Sequence, residues 1–170
     1  RGVKMNFVKP FYKEKFIEKK IINWDDFNLL VKNHPKNYIE FIEQGKNEKK
    51  LLNNYPNADL TNCSIIFLNA KDVKSDFKTL HEIFKLMMPS LTDRWNAHIY
   101  TGHTDKPSSF PMHFDPRDNF ILQVEGTSRF IVPHYFDKIF NPGDLIWIPR
   151  FVPHLVIPLT RRLSISFPHE

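Results

Sequence analysis

Apolar positions recur with one period in the first half of the chain and with another in the second. Over Phe11 to Lys20 (FYKEKFIEKK) the spacing of Phe11, Lys15 and Phe16 predicts a helix, followed by a short strand at Ile21-Ile22. Asn23 is placed to cap a helix starting at Trp24, with Asp25 and Asp26 in the first turn, where the helix dipole favours carboxylates. Trp24, Phe27, Leu30 and Val31 share one stripe, and the pattern ends near His34-Pro35. Residues 43–62 are polar and read as loops around a short Lys-rich helix. Ser64 to Leu68 reads as a buried strand. Asp72 to Met88 is the clearest helix, with Val73, Phe77, Leu80, Phe84 and Met87 at steps of three or four, and Pro89 stops it.

After residue 90 short apolar stretches alternate with Pro, Gly and Asp clusters. Nine of the 13 prolines and six of the eight histidines lie there. That is the grammar of an all-β sandwich or barrel. Strands are expected near 94–101, 110–115, 118–125, 128–133, 145–148, 154–158 and 162–167, with Glu125-Gly126-Thr127 as a hairpin turn. At 170 residues the chain suits one domain, a mostly helical part over 1–90 packed on a β core over 91–170.

Composition adds limits. Hydrophobic residues make up 41% and aromatic residues 14%, which excludes a disordered chain. No apolar run reaches bilayer length, and the N-terminus lacks the apolar core of a signal peptide. The lone Cys63 excludes an internal disulfide and fits a buried small side chain in a reducing compartment. The expectation is a cytoplasmic protein without membrane contact. The net charge of +5 comes from the first 90 residues, where 15 of 16 basic residues are Lys. Such an excess is either a solvated face or a surface for an anionic partner such as RNA.

The candidate chemistry lies in the second half. His113-Phe114-Asp115 sets two ligand types two residues apart, on one side of an extended chain. Asn141-Pro142-Gly143-Asp144 opens an alternating strand, and Pro149-Arg150-Phe151-Val152-Pro153 then delivers His154 to the next. Each residue alone has an ordinary structural reading, a hydrogen-bonded core histidine or a turn aspartate before proline. Jointly, two histidines and one carboxylate on separate segments match the facial triad of non-haem Fe(II) oxygenases, which leaves three metal positions open. His34, His81, His134 and His169 read as surface or packing residues, and His103 as a loop residue.

Residues 95–167 resemble the JmjC-type 2-oxoglutarate oxygenases of the cupin superfamily, and most of all the ribosomal oxygenases and a hypoxia-pathway asparaginyl hydroxylase. The stretches that carry the likeness are Pro111 to Asp115, Asp118 to Gly126, Phe130 and the Pro-Gly-Asp segment through to His154, with Trp95 to Thr101 ahead of them. The resemblance implies a mainly β fold, a double-stranded β-helix (jelly-roll) core under an N-terminal α-helical layer. It implies Fe(II) held by His113, Asp115 and His154, with 2-oxoglutarate chelating the iron and O2 consumed. The keto acid would be decarboxylated to succinate as a C–H bond is hydroxylated. By the same likeness Asn119 lies beside the co-substrate, and Asn96, His98 and Tyr100, alternating on one strand face, point toward its pocket. As ordinary sheet-face polar residues those three need no ligand.

One position departs from the family. Relatives carry Lys or Arg fifteen residues after the first histidine, to pair with the distal carboxylate of 2-oxoglutarate, and here that residue is Ser128. A buried dicarboxylate needs a cationic partner. Arg162 shares a strand face with Ser164 and Ser166 and resembles the Arg-x-Ser of other 2-oxoglutarate oxygenases. Arg129, Arg161 and Lys106, or a pocket with no such salt bridge, are the alternatives. The family's dimerisation and winged-helix regions lie beyond the matching stretch, so dimer geometry and ribosomal specificity do not carry over. The leading expectation is hydroxylation of a protein or peptide side chain, with ribosomal proteins among the candidates. The alternatives are the same chemistry on RNA, such as a tRNA base, and a cupin-like metal- or ligand-binding module without turnover. The oligomeric state is left open.

Overall fold

A computed structural model describes residues 8–33, 38–43, 46–47, 63–102 and 110–170. In chain order the elements are β1 (Phe11–Lys13), α1 (Trp24–Asn33), β2 (Ile39–Glu43), β3 (Lys46–Asn47), β4 (Cys63–Phe67), α2 (Ser75–Met87), β5 (His98–Gly102), β6 (Asp118–Glu125), β7 (Ser128–Val132), β8 (Phe136–Phe140), β9 (Leu145–Ile148), β10 (Leu155–Pro158) and β11 (Arg162–His169). An eight-stranded sheet runs β1-β9-β6-β11-β5-β4-β2-β3, and a three-stranded sheet runs β10-β7-β8. Every strand pairing is antiparallel. The mainly β architecture expected from the sequence, with helices laid on it, is the one observed.

Strand alternation gives the large sheet two unlike faces. Ile39, Phe41, Ile65, Phe67, Ile99, Phe120, Leu122, Leu145, Trp147, Leu163, Ile165 and Phe167 form one core with Phe27 and Val31 of α1 and Phe77, Leu80 and Phe84 of α2. Phe84 stacks on Phe120 at 4.2 Å between centroids and meets Phe167 edge-on at 5.2 Å. On the other face Ile121, Ile146 and Ile148 meet Phe130, Val132 and Phe140 of the small sheet. This second core closes one end of the space between the sheets.

Helix α1 begins as its sequence predicts. Asp26 N–H donates to Asn23 Oδ1 (2.8 Å) and Asn23 N–H to Asp26 Oδ2 (3.0 Å), a reciprocal cap. Helix α2 covers the core of the stretch expected to be helical.

Elsewhere tertiary contacts override local pattern. No helix spans Phe11 to Lys20. Phe11 instead pairs with Trp147 at the sheet edge, and Lys15 takes a left-handed φ of 49° while its N–H donates to Asp144 Oδ1 (2.9 Å). Ile21 and Ile22 are buried but form a bend, not a strand. The expected strand over 110–115 is reduced to one bridge, His113 to His154.

The first half also supplies more sheet than its pattern announces. β4 is the buried strand expected at Ser64–Leu68, whereas β2 has no such signal; both extend the large sheet, so the helical layer lies on strands from both halves. β8 was not anticipated either; Pro133 to Tyr135 turn β7 back into it, with His134 exposed at φ 68°. His81 and His169 are packing residues, with ring nitrogens 3.0 Å apart. His34, His103, Lys106 and most of the 43–62 loop lie outside the described residues, as does the side chain of Cys63.

The segment Glu125-Gly126-Thr127 is not a hairpin turn, because β6 and β7 belong to different sheets. It is the corner where the chain crosses from one layer to the other. Gly126 has φ +64°, and a Cβ there would lie 1.9 Å from the Arg161 carbonyl oxygen. Gly143, of the Pro-Gly-Asp turn, has φ +94°, and its Cβ would lie 2.4 Å from the Ile17 carbonyl oxygen. That turn is held by the buried Asp144 carboxylate, which accepts from Asn141 N–H (2.9 Å) as well as from Lys15.

Candidate metal centre and cavity

His113 and His154 face one another across an isolated antiparallel bridge. His113 N–H donates to the His154 carbonyl (3.1 Å), and His154 N–H to the His113 carbonyl (2.8 Å). Phe151 N–H donates to the Asp115 carbonyl (2.8 Å), tying the two loops together one step further on. Arg150 clamps the base of this unit through Asp118, by its backbone N–H (2.9 Å) and by Nη2 (3.0 Å). Separation of 41 residues in sequence is thereby removed by these five backbone and side-chain bonds.

The side chains converge from that frame. One ligand-type atom each from His113, Asp115 and His154 lies within 4.8 Å of the others. His113 Nε2 is 3.8 Å from Asp115 Oδ1, and His154 Nε2 is 3.4 Å from Asp115 Oδ2. Nδ1 of His113 lies 2.8 Å from the Pro111 carbonyl, and Nδ1 of His154 lies 3.0 Å from the Val152 carbonyl. A carbonyl can only accept, so each Nδ1 carries the proton and each Nε2 turns its lone pair toward the common point. Burial pushes the His154 pKa down, which keeps that lone pair free. Two fixed neutral imidazoles and a carboxylate on one side of an open space fit a divalent transition metal.

The triad borders a cavity of about 280 Å³ between the sheets. Its floor is the inner face of the large sheet, with Glu40, Ile66, Tyr100, Asn119, Ile121, Arg162, Ser164 and Ser166; Phe130, Val156 and His154 close it from the small-sheet side. Register explains the row: Glu40 pairs with Ile66, Ile66 with Tyr100 and Tyr100 with Ser164 on neighbouring strands.

Arg162 is the electrostatic anomaly. It is 6% exposed, donates from Nη1 to Ser164 Oγ (3.2 Å), and leaves Nε without a partner. Among the described residues no carboxylate lies within ion-pair distance of it, and burial pulls its pKa down to about 10. A buried guanidinium without a counter-charge is costly unless something anionic joins it. The alternatives are committed elsewhere. Arg129 is bidentate to Asp137 (2.8 and 2.6 Å), and Arg161 lies over the Trp24 ring at 3.8 Å.

Of the other residues singled out in the sequence, Tyr100, Asn119 and Ser164 line the cavity. Asn119 Oδ1 accepts from Ser166 Oγ (2.8 Å). Burial, with Asp115 and Glu40 nearby, pushes the Tyr100 pKa up to about 12, so the phenol stays a donor. Asn96, His98 and Ser128 are not among the lining residues. Asn96 donates to Asn69 Oδ1 (2.7 Å), and His98 Nδ1 accepts from Asn69 N–H (3.2 Å), at the start of β5. Ser128 is fully buried with an unpartnered hydroxyl. Ser166, placed by strand parity on the Arg162 face, lines the cavity as well. Sequence reasoning missed Glu40 and Phe110, and Glu40 sits on a strand whose local pattern gave no signal.

No protein-family model matches the chain, and no curated protein matches it. Solved structures do. The ribosomal oxygenase YcfD from Escherichia coli, in complex with cobalt and succinic acid, superposes with a TM-score of 0.72 at 19% identity, over 95% of this chain and 48% of that one. The same protein in complex with cobalt and 2-oxoglutarate gives 0.69 at 19% identity, again over 95% and 48%. A further structure of it gives 0.70 at 17% identity, over 95% and 50%. The chain therefore has the jelly-roll fold that its motifs suggest, shared with YcfD over the matched region, and spans about half the length of those YcfD chains.

Proposed function

We propose that the chain is a 2-oxoglutarate- and Fe(II)-dependent oxygenase that hydroxylates a side chain of a protein or peptide. The observation that carries this reading is the buried, unpaired Arg162 in the same cavity as the His113, Asp115 and His154 triad. A cavity with a divalent-metal donor set and a separate site for a carboxylate has the two features a chelating keto diacid requires. Iron bound there would supply, with 2-oxoglutarate and O2, the oxidant that hydroxylates a C–H bond as the keto acid is decarboxylated.

The chain's own residues hold and orient. His113 and His154 offer neutral Nε2 atoms because their Nδ1 protons are held by backbone carbonyls, and Asp115 adds the negative charge. Arg162 receives the distal carboxylate in its planar fork, and Ser164, already bonded to it, fixes that fork. Tyr100 remains protonated and donates into the cavity, while Asn119 is held in place by Ser166. Ile66, Ile121, Phe130 and Val156 keep the walls apolar, which strengthens each of these polar contacts.

A protein substrate is favoured over RNA by where five of the described lysines lie. Lys19, Lys20, Lys74, Lys78 and Lys85 sit on or beside the helices, across the large sheet from the cavity. Among the described residues no helix is long and apolar enough to cross a membrane. The test is a 2-oxoglutarate titration under anaerobic Fe(II), followed by charge-transfer absorption. Arg162→Ala should raise the dissociation constant at least about 10-fold, which corresponds to roughly 1.4 kcal/mol, and leave metal affinity unchanged. Equal affinity in the variant would move the anchor elsewhere. No signal in the wild type would favour a cupin-like binding module without turnover.

A further inference from the structure

Extended geometry turns His113 and Asp115 toward the cavity, and by the same parity it turns their neighbours away from it. Met112 is 46% exposed, Phe114 58% and Phe151 60%. The rings of Phe114 and Phe151 meet edge-on at 5.9 Å, and Phe110 carries the apolar surface down into the cavity, where it contacts the His113 ring at 5.9 Å. The result is a shelf, an exposed pair of aromatic rings flanking the metal ligands, with the exposed Met112 on the same segment and Phe110 at the cavity itself.

Phe151 is held there against its own preference. Its φ is 63°, in the left-handed region that bulky residues avoid, and the bond from its N–H to the Asp115 carbonyl fixes that conformation. Strain of this kind opposes folding. Yet the ring it positions is left in solvent, so its burial in this chain does not offset that cost. Exposed large apolar groups in contact with one another mark an interaction surface more often than a lone exposed one does.

The charge beside the shelf selects the partner. Arg150, next to Phe151, is paired with Asp118, and Arg117, two residues past Asp115, is paired with Glu170 at 3.0 Å. Each guanidinium already has a carboxylate within the chain, Glu170 being shared with Arg94 at 3.5 Å. A phosphate backbone would find no free cation at either arginine, whereas an apolar side chain on an uncharged polypeptide segment needs none.

We infer that the Met112, Phe114 and Phe151 shelf docks an aromatic or large aliphatic side chain of the polypeptide substrate, flanking the residue that enters the cavity. This rests on the oxygenase reading, and it names a specificity subsite for it. The test pans a display library of random nonapeptides against the protein loaded with Mn(II) and 2-oxoglutarate. Selected peptides should share an aromatic or large aliphatic residue at a fixed offset from a second common residue. The synthesised consensus peptide should bind at least about 10-fold more weakly to the double variant Phe114→Ser, Phe151→Asn, since 1.4 kcal/mol is tenfold. Asn tolerates the left-handed backbone, so the variant loses the rings and keeps the turn.

Affinity for 2-oxoglutarate should stay within about twofold, which excludes a collapsed site. Failure to select any peptide, selection without an apolar preference, or equal binding to the variant would each overturn the inference. So would ring-dependent binding of a decauridylate, which would assign the shelf to nucleic acid. Self-association of the wild type that the double variant abolishes would give it to a second copy of the chain. If the wild type takes up no 2-oxoglutarate, the oxygenase reading fails; the selection repeated with Mn(II) alone still decides the docking.

Discussion

On β11, Leu163, Ile165 and Phe167 meet the helices, whereas Arg162, Ser164 and Ser166 meet the cavity. The same division holds on β6, where Phe120 and Leu122 face α2 while Asn119 and Ile121 face the small sheet, and on β2, where Ile39 and Phe41 flank Glu40. One face of the sheet is packed with hydrocarbon and stacked rings. The other carries a guanidinium without a counter-charge, its Nε unpartnered, an unpartnered Gln123 carbonyl oxygen and, across the gap, the unpartnered Ser128 hydroxyl. The outer face is built to hold the sheet together, and the inner face keeps polar capacity in reserve at a cost in stability. That contrast is what a binding site looks like when the ligand completes it.

The two faces should respond oppositely to substitution. The largest effect belongs to the inner side. Replacing His113 and His154 together with Ala should abolish binding of Fe(II) or Mn(II) at about one ion per chain, because only Asp115 would remain of the three donors. Thermal unfolding of the metal-free variant should stay cooperative, since neither ring belongs to the helix-packed core. Full metal occupancy in the double variant would remove the triad.

On the outer face Phe84→Ala should cost about 3–5 kcal/mol of folding stability, because the ring is fully buried against Phe120 and Phe167. Urea unfolding measures it. A loss under about 1 kcal/mol would mean that α2 is not an anchor of the sheet.

Acid should also act on the outer face. His169 is fully buried beside His81, and burial pulls its pKa down to about 4. An unfolded histidine titrates near 6.5. Between those values the unfolded chain binds more protons, so this stability is complete above about pH 6.5 and is lost as the pH falls toward 4. The part lost between pH 7.5 and 5 is on the order of 2 kcal/mol. Urea midpoints at pH 7.5 and 5 should differ, and a His169→Leu variant should lose most of the difference.

The smallest effect sharpens the comparison most. Arg162→Met, which keeps the length and removes the charge, should leave the ligand-free protein as stable or stabilise it by about 1–2 kcal/mol, while weakening 2-oxoglutarate binding at least tenfold. A residue that opposes folding and supports binding belongs to the site. Clear destabilisation in the variant would make Arg162 structural instead.

Much of this was legible in the chain because it depends on local period. The α1 cap, the α2 stripe, the alternation of β6 and β11 and the inward parity of Arg162 with Ser164 are properties of residues a few positions apart, where backbone geometry fixes direction. The pairing of His113 and Asp115 is of the same kind. What the tertiary structure alone decided is longer in range. Phe11 to Lys20 has helical spacing, yet β9 offered it an edge and Asp144 a hydrogen bond, and those contacts outweigh a weak propensity. Glu125 to Thr127 is a turn in either reading; only the sheet partners made it a corner. Glu40 reached the cavity because β2 joined a sheet whose other members lie up to 130 residues away. Strand pairing is chosen by the whole sheet, and so the far end of the cavity is invisible to any local pattern.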